Sequence, residues 1–145
     1  MIFEYLEDKV PEPSLWPEVI AERALARRLE LEADEILFER VQRVMPHRRG
    51  DFTDESVANG LEDLAQHFTR MNAQIGDEPV LVSQFSYADI ALYGVVFFAR
   101  FLGVGPSSEL YNLKAWEEAV ASRNSIKTVF SAMTEYLSRA MQGSN

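Results

Sequence analysis

Apolar residues recur along this chain every three or four positions and almost nowhere every two. The cleanest run is Val57, Leu61, Leu64, Phe68, Met71 and Ile75, stepping 4-3-4-3-4. That narrow seam predicts a helix from about Thr53 to Ile75, packed along another long helix. Gly76 follows it as the expected C-terminal cap. Before it, the pattern predicts a helix from about Pro17 to Met45, with Pro17 at a tolerated early position and Pro46 as its stop. One face of that helix carries Ile20, Ala24, Leu31, Phe38, Val41 and Met45; a second carries Leu25, Leu29, Ala33, Ile36, Leu37 and Val44. A helix apolar on two sides is expected to be covered twice, once by its own core and once by another body such as a partner subunit. The short stretch from Pro46 to Phe52 should fold these two helices into an antiparallel hairpin.

Three further helices are expected: from the "FSYADIAL" motif to near Gly103, from about Asn112 to Arg123, and from about Ile126 to Met141. Hairpin dipeptides are missing and Gly and Pro fall between the apolar stretches. The reading is all-α, a bundle of about five main helices led by a long antiparallel hairpin. Residues 17–141 form the domain and 142–145 a tail with nothing to bury. Residues 1–16 stand apart. "MIFEYLED" is a helical stub shorter than the roughly 12–15 residues at which isolated helices become stable. It reads as the end of a preceding domain's last helix, with "KVPEPSLWP" as the linker.

Composition narrows the chemistry. A net charge of −9 argues against a protein built to hold nucleic-acid phosphates, and the single basic cluster, Arg43 to Arg49, reads as a solvated helix end. With no cysteine, disulfides, thiolate metal sites and a cysteine nucleophile are excluded within the chain. The longest apolar run, Ile90 to Ala99, is about half of the roughly 20 residues a membrane span needs. A cytoplasmic protein is the expectation.

The "QFSYADIAL" stretch decides most of the functional reading. With Ser86 as N-cap, Asp89 stands where a capping box needs its carboxylate, and Phe85 and Ile90 stand where a hydrophobic staple needs its two apolar residues. A Ser–Asp catalytic reading lacks a histidine, since His47 and His67 both fall in the first hairpin. The motif is therefore read as structural. Neither histidine has a second ligand at metal spacing, so no metal site is expected. None of Tyr5, Tyr87, Tyr93, Tyr111 and Tyr136 has the neighbouring base a nucleophile needs. No catalytic residue is assigned. Trp16 and Trp116 are read as anchors, one closing the linker onto the bundle and the other burying the fourth helix.

Taken in order, these motifs resemble the C-terminal helical domain of the glutathione S-transferase superfamily. "FSYADIAL" resembles that domain's capping box and staple, and "LYNLKAWEEAVASRNSI" resembles its "YPxLxxWxxxVxxRPS" segment. "IFEYLED" is similar to the end of the preceding thioredoxin-like domain, and "PEPSLWPEVIAERALARR" to the linker and first helix. Asn112 and Asn124 replace prolines of the pattern, and Ser83 stands near a common turn glycine.

The resemblance implies a homodimer whose parent conjugates glutathione to a small hydrophobic electrophile, with the thiol activated in the thioredoxin-like domain absent from this chain. It also implies that Asp34 or Glu35 reaches glutathione bound in the other subunit, and that Phe38, Val41 and Met45 line the hydrophobic substrate pocket. Glutathione would be the cosubstrate of the full-length protein, and this chain alone would not be catalytically competent. Arg48 and Arg49 could attract an anionic substrate, although a solvated loop explains them as well. The alternative is a non-enzymatic scaffold of the same fold that binds other proteins.

Overall fold

The computed structural model describes residues 2–45, 55–76 and 79–142. Among them the order is α1 (Ile2–Lys9), α2 (Ile20–Leu31), a π-helical segment (Glu32–Leu37), α3 (Phe38–Val44), α4 (Glu55–Gln74), α5 (Tyr87–Phe101), α6 (Tyr111–Ser122) and α7 (Asn124–Gln142). The described residues contain helices and no strand, and the fold is all-α. His47, Arg48, Arg49, the Pro46–Phe52 connection and the tail residues 143–145 lie outside the described residues.

The long helix starts at Ile20 and not at Pro17. Val19 stays extended, while Arg23 folds back to donate to the carbonyls of Pro17 (2.8 Å) and Glu18 (3.5 Å). From there the chain runs without a break through the π segment into α3, because the joining residues Leu31, Glu32 and Phe38 all keep right-handed helical dihedrals. Within it the Phe38 amide donates to the Ala33 carbonyl, five residues back. Such a turn carries an extra residue and rotates everything after it by roughly 100°, the angle of one residue. The two expected apolar faces are not equally covered. Ala26, Leu29, Ala33, Leu37, Val41 and Val44 form the buried face, whereas Ile20 is 84% and Leu31 57% exposed.

The second long helix, α4, buries Val57, Leu64, Phe68, Met71 and Ile75 on the expected seam, with Leu61 half-buried. Polar contacts across the two helices fix their direction. Arg40 pairs with Asp63 at 3.2 Å and Glu32 with His67 at 2.6 Å, so position falls on one helix as it rises on the other. The hairpin is antiparallel. Gly76 is not the α4 cap expected of it, since its φ is not positive. The terminal carbonyls of α4 are satisfied from α6 instead. The Asn112 side-chain amide donates to the carbonyls of Asn72 and Ile75, each at 3.1 Å, and the Asn72 side chain accepts from the Leu113 amide at 3.0 Å.

Buried between these layers is α5, apolar on every side, packed against α2, the π segment and α3 on one flank and α6 on the other. It ends in a Schellman turn: Gly103 adopts φ +79°, its amide bonds to Arg100 (3.0 Å), and the Val104 amide bonds to Ala99 (2.8 Å). Arg100 then grips Glu117 of α6 through two bonds of 2.6 and 2.7 Å. Trp116 of α6 is fully buried, and α7 adds Ile126 to the core and Phe130 against Tyr93 and Phe97.

Candidate functional site

The start of α5 answers the question of the "FSYADIAL" motif. Asp89 is completely buried and its carboxylate accepts four hydrogen bonds. The Ser86 amide (2.8 Å) and hydroxyl (3.0 Å) meet one oxygen; the Leu81 amide (3.1 Å) and the Trp116 indole N–H (2.8 Å) meet the other. The capping box is present, and the same carboxylate also ties the preceding loop and α6 to the helix start. With two donors on each oxygen, this carboxylate has no lone pair left free to meet a substrate. Phe85 and Ile90, both half-buried, flank this cap and line one cavity. The one histidine among the described residues, His67, sits on α4, bonded to Glu32. No group of three or more metal-ligating side chains occurs among the described residues.

A second region lies on the long helix. The π segment holds Asp34 and Glu35, both exposed, and neither has a cation partner among the described residues. Partial burial pushes the Asp34 carboxyl above its usual range, and the neighbouring Glu35 charge adds to the shift. Glu30, one turn earlier, is raised by burial first and by Asp34 next. Following Asp34 at helical spacing come Phe38 and Met45. Phe38 is half-buried with its ring edge on Phe98 at 5.6 Å, and Met45 is 40% exposed. Val41 differs. It is fully buried in the domain core beside Leu37 and Val44, one turn away on either side, so it offers no surface to a ligand. Of the three residues expected to line a pocket, Phe38 and Met45 remain available.

The third region was legible in the sequence only through Trp16, expected to close the linker onto the bundle. The stub α1 is docked on the domain: Phe3 stacks on Tyr87 at 4.4 Å, Glu4 pairs with Arg27 at 3.1 Å, and Trp16 closes the linker against Tyr87 at 4.8 Å. Glu7 accepts from the Ser14 hydroxyl (2.6 Å), the amides of Leu15 (3.0 Å) and Trp16 (3.3 Å) and the Tyr87 hydroxyl (3.3 Å). Burial alone would raise the Glu7 carboxyl, but these donors outweigh it and hold it below its usual range. Beneath α1 and the linker lies a cavity of about 480 Å³, walled by Leu6, Val10 and Leu15 on one side and by Phe85, Ile90 and Arg123 on the other. Arg123 lies 3.7 Å above the Phe85 ring. The only sequence signal for Glu7 was its place on a stub that could not stand alone.

No helix among the described residues is long and apolar enough to cross a membrane. The sequence matches no curated protein. Residues 54–119 match the family model described as glutathione S-transferase, C-terminal domain. Among solved structures, the chain is similar to a glutathione S-transferase domain-containing protein from Marinobacter aquaeolei, with 28% identity, a TM-score of 0.72, and coverage of 85% of this chain and 64% of that one. It is similar also to a glutathione S-transferase from Rhodospirillum rubrum, with 28% identity, a TM-score of 0.73, and coverage of 86% and 60%. A third, from Methylobacterium radiotolerans in complex with glutathione sulfonate, shares the fold at 24% identity and a TM-score of 0.70, over 88% of this chain and 62% of that one. The chain thus spans less than two thirds of the length of each of these structures. Residues 54–119 therefore carry the pattern of a glutathione S-transferase C-terminal domain, and the chain is similar in fold to solved glutathione S-transferases.

Proposed function

We propose that this chain is the helical half of a glutathione-dependent transferase acting on a small hydrophobic electrophile. It supplies the apolar wall of the substrate site and contacts to a second copy, while a thioredoxin-like domain activates the glutathione thiol. The observation that carries this reading is the alignment of Asp34, Phe38 and Met45 along one strip of the long helix, with the carboxylate unpaired among the described residues and the apolar side chains partly open. An unpaired, partly desolvated carboxylate favours a cation brought by a ligand, such as the amine of glutathione bound to the other subunit. Phe38 and adaptable Met45 suit an apolar substrate of varied shape. The exposed Ile20 and Leu31 on the outer face of α2 suit the second cover of a dimer. Catalysis by this half is positioning and binding energy.

Calorimetric titration with glutathione and S-hexylglutathione, with light scattering for mass, tests the reading. A dimer that binds S-hexylglutathione more tightly than glutathione is the expected result. A monomer that binds neither favours the scaffold function.

A further inference from the structure

We propose that Phe98 of α5 is a specificity-determining residue beside Phe38, and that the two rings together favour a flat aromatic group over a flexible chain of similar size. The proposal rests on the transferase reading above and concerns which apolar electrophile that site prefers.

Five rings run in contact from α3 to α7. Phe38 meets Phe98 at 5.6 Å with the planes at 66°, and Phe98 meets Phe97 at 5.4 Å and 86°. Phe97 in turn meets Phe130 of α7 at 4.8 Å and 65°, and Phe130 meets Tyr93 at 4.8 Å and 88°. Every junction is edge to face, so the positive rim of one ring meets the negative face of the next. Phe98 is gripped from both sides, by Phe38 and by Phe97, and turning it would break two contacts. Phe38 and Phe98 therefore form a fixed corner.

That corner keeps a free surface. All five rings are half-buried, and so is Phe101, one turn beyond Phe98. A Cβ added to Gly94, one turn before Phe98, would meet no atom of the described residues within 4 Å, so this side of α5 is open. Phe98 thus continues the apolar strip of Phe38 from α3 onto α5.

A stiff aromatic corner discriminates by shape and by charge. A ring laid against it loses little conformational freedom, whereas an alkyl chain must freeze several rotors. An aromatic electrophile is also electron-poor, because it bears the group that draws electrons from the attacked carbon. Such a ring is attracted to the electron-rich face of phenylalanine. Leucine at position 98 would keep the apolar character and lose the flat face.

Calorimetry of S-benzylglutathione and S-hexylglutathione with the wild type, Phe98→Leu and Phe98→Tyr tests this, since the two ligands differ only in the group on sulfur. In Phe98→Leu the ratio of the two affinities is expected to shift towards the hexyl ligand by about two- to tenfold. Phe98→Tyr keeps the ring and should keep the wild-type ratio. Phe98→Met serves as a second ring-free variant, so that a fold lost in one leaves the ratio readable in the other. A Phe98 that only supports the fold would weaken both ligands alike, and an unchanged ratio in the ring-free variants would overturn the proposal. An equal shift in Phe98→Tyr would overturn it too, since the ring would not be the cause. Should the wild type bind neither ligand, the transferase reading itself fails and the proposal falls with it.

Discussion

At the scale of the residue, Asp89 ties together three parts of the structure. It satisfies the first turn of α5, fixes Leu81 of the approaching loop and receives the indole of Trp116 from α6. Its removal therefore costs more than a helix cap, which is worth about 1 kcal/mol. Asp89→Ala leaves two amides and one indole N–H without partners in a closed interior, and each such group costs about 1–3 kcal/mol. Urea unfolding should show a loss of about 3–5 kcal/mol for Asp89→Ala, against about 1 kcal/mol for Ser86→Ala. Equal losses in the two variants would reduce Asp89 to a cap. The capping box was visible in the sequence because it is written in four consecutive-turn positions. The bond to Trp116 was not, since 27 residues separate the partners.

At the scale of the element, the same contrast recurs. The α4 seam was legible because one regular helix translates spacing directly into a face, and five of its six seam residues are buried. The long helix was only half legible. Its extent could be read, but the π turn at Glu32–Leu37 is a backbone choice that no spacing announces. Across it the buried face runs through Ala33, Leu37 and Val41, while Leu31 just before it stays exposed.

The end of α4 was misread for a related reason. Gly76 looked like the cap, yet the orphan carbonyls are met by Asn112, a residue that departs from the family's proline at the start of α6. Proline could not make these bonds. Asn112→Ala should lower stability by about 1–2 kcal/mol in urea unfolding, and should raise hydrogen exchange in the last turn of α4 before elsewhere. If that turn keeps its protection, Asn112 is not its cap.

At the scale of the whole molecule, the electrostatics divide into two opposed sets. Glu7 has a lowered carboxyl, so its contribution is present above its unfolded pKa, about 4.3, and is lost as pH falls through the lower folded value. Asp34 and Glu30 have raised carboxyls. Their contribution is complete below their unfolded values and is lost as pH rises through the folded ones. At neutral pH they are ionised at a cost to the fold. Asp34→Asn should thus leave thermal stability at pH 7 unchanged or slightly higher, while weakening glutathione-ligand binding in calorimetry. A clear loss of stability would mean that Asp34 has a structural partner and is not held open for a ligand. The sequence could place Asp34 on the helix, but its lack of a cation partner among the described residues depends on where the other chain segments pack.

The measurement that bears most directly on the central claim, that this domain supplies the apolar wall of a transferase site, is affinity against tail length. S-methyl-, S-butyl- and S-hexylglutathione would be titrated into the wild type and Phe38→Ala. Each methylene that leaves water for an apolar wall is worth about 0.8 kcal/mol at most. The account predicts affinity that climbs with tail length in the wild type and climbs less steeply in Phe38→Ala. Affinity indifferent to tail length, or an identical slope in both proteins, would contradict it.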